Sequence, residues 1–466
     1  MSTRVLRIEL KRSGALWAGA VFLASALAYL SLVDGAWSEG VTAWTAQWTT
    51  MALWTRAQLF FLWPLAIGFG ALQGLRDPRS KMNELLTSTP RPVPHRAFAS
   101  AGPTAVALAS AFVLLILVGA VQVLPNTGYA HLGWLPISLV GAFSLVAGAV
   151  LGMGVGRALP SALTPPAAAM GAFVFTTLMQ LPPGHTQTYT ATGFPVEEPN
   201  QISLLSPAVD QVRNVLVTLS VPVHVGQAIW LLGMATTGFA LLVAATARDR
   251  LLALAPVLVG LVTALLVLPS DPYRMYVVDK TAAQLVCDGP VCVTKVHRTR
   301  LADLVGPGKE ALHLLRGSLG RQAPVSVREI ATVPTAGATP RWSRETVLID
   351  YADNTMASAK GKELTRYLIA TAMVPGCSPL GLSATTVSVG DSAAQTIAVS
   401  WVLGDFKPLG DISLASSESF ALARPVWQKF KTLTRAEQLS RIGAMRDAAL
   451  SCRGDAFDVL KGGASR

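Results

Sequence analysis

Four cysteines are the side chains most clearly placed for chemistry. Cys287 and Cys292 close the short run CDGPVC, and Cys377 and Cys452 follow further along. Asp-Gly-Pro between the first two reads as the tip of a hairpin that a disulfide would close, which leaves Cys377 for Cys452. Four cysteines allow three pairings, so the connectivity stays open on sequence grounds. A metal site is the rival reading, but Cys-x4-Cys has no second close pair and His297 alone does not complete a ligand set. The acidic pair Asp350 and Asp353 in DYADN has the spacing of helix caps and solvated turn residues, and His297 and His313 stand singly. No HExxH, GxSxG or GxxxxGK[ST] is present, and GPGKE lacks the first glycine and the Ser/Thr of a phosphate loop. The chain is therefore expected to hold no catalytic residues, metal or cofactor, to hydrolyse no ATP itself and to bind no nucleic acid.

A second stretch has a different chemistry, that of docking. LRDPRSKMNELLTSTPRPVPHR, residues 75–96, is basic and proline-rich and lies between two long apolar runs. Residues 79–87 make about two helical turns with Met82, Leu85 and Leu86 on one side at i, i+3 and i+4. Pro90, Pro92 and Pro94 then stop the helix and fix an extended exit. A short exposed helix with an apolar face suits the groove of a partner.

The elements around these residues are set by hydropathy. Hydrophobic residues make up 51% of the 466-residue chain and charged ones 14%, against about 25% charged in an average soluble protein. They gather in seven runs, about residues 14–33, 51–72, 98–124, 134–156, 163–181, 224–245 and 251–268. Each is near the roughly 20 residues that cross a hydrocarbon core about 30 Å thick. Prolines inside them, Pro64, Pro165, Pro166 and Pro256, suit membrane helices, where neighbours re-satisfy the freed backbone groups.

Charge orients the spans. With a cytoplasmic N-terminus, one set of loops holds Arg4, Arg7, Lys11, Arg12, Arg76, Arg79, Lys81, Arg91, Arg96, Arg157, Arg248 and Arg250. The other set holds Arg213, with Arg56 near the outer end of the second span. That bias puts the first set inside, and Trp37, Trp44 and Trp48 at the outer interface. Residues 1–13, TRVLRIELKRS included, read as a basic amphipathic helix lying on the inner interface. The start is too long an apolar stretch for a signal core.

Seven spans leave everything after about residue 270 outside, where all four cysteines lie, as an oxidising exterior would favour. Residues 270–466 read as a soluble α+β domain. A hairpin is expected around CDGPVC, and strands in VSVREIATV and ETVLIDYA. RLADLVGPGKEALHLLRGSL reads as a helix or two broken at Gly306, Pro307 and Gly308, and QTIAVSWVLGDF as strand or buried helix. KELTRYLIATAMV is helical, and Thr434 with Glu437 has capping-box spacing ahead of another helix. The segment PAVDQVRNVLVTLSVPVHV, in the outer loop 182–223, reads as a re-entrant or interfacial helix.

This arrangement resembles the type-two ABC exporter permeases of actinobacterial type, an interfacial helix followed by six spans with a coupling helix between the second and third. NELLTSTPRP is similar to the Glu-Leu-Leu-x-x-Thr-Pro-Arg run of that coupling loop. The resemblance covers about residues 1–246. It implies that Glu84, Leu85, Leu86, Thr89, Pro90 and Arg91, alongside Met82, meet a separate ATPase subunit. It also implies a homodimer or second permease half in the bacterial plasma membrane. Span seven, in residues 247–269, and the outer domain are additions to that plan. Few ionisable residues lie in the spans, so an apolar passage and an amphiphilic substrate are expected. The alternative is a membrane-anchored extracytoplasmic sensor or scaffold, which needs no ATPase.

Overall fold

The computed structural model describes residues 14–32, 43–76, 92–180, 187–189, 195–197, 200–209, 215–271, 274–332, 341–351, 353–377, 388–409 and 414–462. The fold is mostly helical. The apolar half contains α1 (Ala15–Leu32), α2 (Trp48–Ala57), α3 (Leu59–Gly74), α4 (Val93–Val123) and α5 (Trp134–Ala158). These are followed by α6 (Thr164–Gln180), α7 (Val221–Val243), α8 (Ala247–Leu252) and α9 (Ala255–Val267). Five helices are long and apolar enough to cross a membrane: α1, α4, α5, α7 and the stretch Ala247–Val267. The α2–α3 pair, bent by 49°, makes a sixth if it is one span. At 17 residues, α6 is at the lower end of the roughly 17–25 residues that cross a membrane.

Large apolar side chains cover the outside of these helices. Trp17 on α1 is 78% exposed and Leu266 on α9 is 82% exposed. Water would penalise such a surface and lipid would not. Where hydrocarbon surrounds the helices, close backbone packing must hold them together instead. A methyl group added at Gly70 or Gly74 of α3 would sit 2.1 Å from the carbonyl oxygen of Ala149 or Met153 on α5. One added at Gly152 or Gly156 of α5 would meet Ile67 or Ala71 of α3 at 2.0 and 2.2 Å. Gly154 and Gly238 join α5 to α7 in the same way, and Gly233 and Gly260 join α7 to α9.

β1 (Gln187–Tyr189) and β2 (Pro195–Glu197) pair antiparallel in the long loop after α6. β3 (Val217–Leu219) pairs antiparallel with β4 (Tyr276–Val278), so the entrance to α7 is tied to the exit from α9. The C-terminal domain then forms a sheet in the order β5 (Leu285–Asp288), β6 (Val291–Thr294), β7 (Ser326–Glu329), β8 (Thr346–Ile349). The β5–β6 hairpin is antiparallel, turns at Gly289 with φ +60°, and is closed by the Cys287–Cys292 bond. β6, β7 and β8 run parallel. Alternating apolar residues Val291, Val293, Val327, Val347 and Ile349 turn into a core completed by helices. These are α10 (Leu301–Leu319), α11 (Asn354–Ser358), α12 (Gly361–Met373), α13 (Val389–Leu403), α14 (Leu414–Phe430), α15 (Arg435–Ser451) and α16 (Ala456–Lys461).

Several expectations change. The run 51–72 is two helices rather than one, with Gln58 at the bend and Pro64 unable to bond back to Phe60 just beyond it. Pro94, expected in an extended exit from the docking stretch, sits instead in the first turn of α4, where its missing N–H costs nothing. Gly306, Pro307 and Gly308 do not break α10, whose buried face of Leu304, Ala311, Leu312 and Leu315 continues through them. Gly308 is there for clearance, since a methyl group would lie 2.9 Å from Val291. In the segment after α6, residues 217–219 are strand and not helix, because β-branched Val217 and Thr218 find a ladder in β4. QTIAVSWVLGDF is resolved as the buried helix α13. The Thr434–Glu437 capping box is present at the start of α15.

Candidate functional site

The docking residues Met82, Glu84, Leu85, Leu86, Thr89, Pro90 and Arg91 lie outside the described residues, as do residues 1–13 and Trp37. The cysteines are paired as Cys287–Cys292 and Cys377–Cys452. No cluster of three or more metal-ligating side chains occurs among the described residues. Asp353 is a cap: its Oδ1 accepts from the Thr355 and Met356 amides, and its Oδ2 accepts from Tyr367 at 2.7 Å. Burial, with Asp353 adding to it, holds the Tyr367 hydroxyl well above its ordinary pKa and keeps it a donor. His313 is exposed on α10.

His297 is buried. Its Nδ1 lies 2.5 Å from Glu329 Oε1, and Glu329 Oε2 accepts from the Thr294 amide at 2.6 Å and the Thr294 hydroxyl at 2.8 Å. The Tyr351 ring packs on the imidazole at 4.8 Å between centroids. This cluster fastens β6, the turn after it and β7 together. His297 Nε2 is enclosed without a polar partner among the described residues, so the pair presents no reactive edge to a substrate.

The most unusual chemistry is in the apolar half. Every residue of α2 from Thr49 to Arg56 is buried, and Arg56 is 0% exposed. Its Nε and Nη2 donate to the Pro207 carbonyl at 3.1 and 2.7 Å, and Nη2 also donates to Gln227 Oε1 at 3.1 Å. Gln227 Nε2 in turn donates to the carbonyls of Leu204 and Ser206, and the Trp230 indole donates to Leu205. Gln227 and Trp230 are three apart on α7, so one helical face and the guanidinium together grip the loop 203–208. The loop is held from the other side by Gln201, whose amide donates to Leu265 and Leu268 at the end of α9.

This arrangement satisfies the loop and leaves the arginine incomplete. No carboxylate among the described residues bonds Arg56, and its Nη1 has no partner among them. The same is true of both Gln58 amide atoms, the Ser206 and Ser220 hydroxyls and His224 Nδ1. A shallow pocket adjoins, lined by Ser206, Gln227 and Tyr276 together with Met179, Leu204 and Val223. An unpaired buried charge costs several kcal/mol, so a structural role alone does not favour a guanidinium here. The sequence held one signal of this site, an arginine inside an apolar run. Pro207 and Gln227 lie 151 and 171 residues away, and nothing local points to them.

Across the junction of the halves, Gln47 donates to the Val296 carbonyl at 3.0 Å and accepts from Thr127 at 2.6 Å, and Tyr129 donates to Asp279 at 3.0 Å. Burial, reinforced by Asp279, pushes the Tyr129 hydroxyl up to about 12, so it donates at all ordinary pH. The C-terminal domain is thus hydrogen-bonded to loops of the apolar half. Compared with protein-family models, curated proteins and solved structures, the chain matches none.

Proposed function

We propose that this chain is the membrane subunit of an ATP-driven exporter in a bacterial plasma membrane. In this reading it crosses seven times from a cytoplasmic N-terminus and carries residues 270–466 on the outer face. A separate ATPase docks on residues 75–96, and two membrane halves, identical or homologous, enclose the path of an amphiphilic substrate. The observation that carries the reading is the place of NELLTSTPRP. It connects α3, which ends at Gly74, to α4, which begins at Val93, on the side where the basic residues gather. α3 is also the helix packed backbone-to-backbone on α5, so a pull on this loop is passed on by rigid elements rather than absorbed. Bonded cysteines in the other half are in keeping with an oxidising exterior.

The test is a mild-detergent pull-down of the tagged protein from its native membrane, wild type against Leu85→Asp/Leu86→Asp. An ATPase recovered with wild type and lost with the variant is the expected result. Folded protein with no ATPase in either sample would overturn the exporter reading in favour of a membrane-anchored sensor or scaffold.

A further inference from the structure

We propose that Arg56 anchors a binding site for an amphiphile with one anionic head group, a carboxylate or a phosphate monoester, on an apolar chain. As a statement about transported substrate this rests on the exporter reading above; as a statement about binding it does not.

Three observations converge. First, the guanidinium is fully buried and its hydrogen bonds go to a carbonyl and an amide oxygen, neither of which cancels its charge. A water molecule would satisfy Nη1 but leave the charge uncompensated. An anion does both, and charged hydrogen bonds to an oxyanion are the strong ones. Second, the unpartnered atoms belong to residues that neighbour Arg56 and its partners along the chain. Ser206 adjoins Pro207, Ser220 caps α7, His224 is one turn before Gln227, and Gln58 is two residues beyond Arg56. Of these, Ser206 lines the adjoining pocket together with Gln227, which accepts from Arg56. Third, the adjoining pocket has a mixed lining, polar at Ser203, Ser206, Gln227 and Gln180 and apolar at Met179, Leu204 and Val223. Met179 is on α6, whose Met170, Val174 and Leu178 are exposed. An acyl chain leaving the pocket along α6 meets the same apolar surface as the surrounding lipid. A single cation in such a setting matches a single anionic head, and it repels a cationic one.

The experiment uses the full chain, purified in an uncharged maltoside detergent, and follows its unfolding temperature against four additives: dodecyl phosphate, dodecanoate, inorganic phosphate and dodecyltrimethylammonium. Dodecyl phosphate and dodecanoate are expected to raise it saturably, and the cation is not. Inorganic phosphate is expected to need about tenfold more or worse for the same shift, because it buries no chain. In Arg56→Gln the midpoint for dodecyl phosphate should rise by about tenfold or more. Equal responses to the anionic and cationic amphiphiles overturn the site, as does an unchanged midpoint in folded Arg56→Gln. Inorganic phosphate binding as well as dodecyl phosphate overturns the amphiphile and leaves a free-anion site. If Arg56→Gln does not fold, the four additives on wild type decide alone. An ATPase in the pull-down beside a failed anion preference would sink this proposal and leave the exporter reading standing. The reverse pattern would do the opposite.

Discussion

Each half of the molecule buries an arginine with no carboxylate bonded to it among the described residues, and the two are used differently. Arg446 on α15 is 4% exposed, and its Nε, Nη1 and Nη2 donate to the carbonyls of Ala372, Gln322 and Arg344. All three nitrogens are engaged, and three separate segments of the outer domain are fixed to α15. Arg56 gives two of its nitrogens to a loop and keeps the third without a partner among the described residues. The first arginine is complete within the fold. The second keeps a donor over among the described residues. Two arginines of equal burial therefore differ in what their nitrogens hold.

The halves also differ in what holds them together, and this gives the largest expected effect. Cys377–Cys452 closes a loop across 75 residues, and Cys377→Ser/Cys452→Ser should destabilise the outer domain by about 4 kcal/mol. The short Cys287–Cys292 loop should give about 2 kcal/mol. Denaturant unfolding followed by outer-domain tryptophan signals would measure both, while the apolar half, which has no cysteine, stays helical throughout. Unfolding of both halves together would break the comparison.

Arg446→Met should cost about 3 kcal/mol or more, since it strands three carbonyl groups in a closed core. Arg56→Met should cost less than half of that, because it strands one backbone carbonyl and one amide oxygen rather than three carbonyls. Equal losses in paired thermal melts would mean that both arginines are simply structural. In the apolar half, Gly70→Val drives a side chain into the backbone of α5, and overpacking of this kind costs about 1–3 kcal/mol or more. Gly171→Ala, where an added methyl group meets nothing within 4 Å, should be neutral or slightly stabilising. Detergent-resistance assays on the two variants should separate them clearly. The smallest effect expected is in the outer domain: Thr434→Ala, which removes the capping box of α15, should lower stability by about 1 kcal/mol.

Features written in neighbouring residues were legible in the sequence. CDGPVC announced its turn and its disulfide, Thr434 and Glu437 announced their cap, and the apolar runs announced their helices to within a few residues. Features that depend on distant partners were not. Pro307 reads as a breaker until the face of α10 is seen packed on β6, and Val217 to Leu219 read as part of a helix until Tyr276 to Val278 supply a ladder. Arg56 looked like an interfacial charge because its partners, Pro207 and Gln227, come from segments that no local pattern links to α2.

The ribbon of β3 and β4 also has a mechanical consequence. β3 runs straight into Ser220, the cap of α7, and β4 leaves Met275, whose carbonyl accepts from the Ser220 amide at 2.9 Å. Asp279 extends the same ribbon to Leu216. The C-terminal domain is therefore joined to two helices at once through a paired ribbon rather than a single strand, and a tilt of α7 and α9 would be expected to carry it along. A pair of spectroscopic labels on that domain would report any such rotation of the apolar helices as a larger displacement.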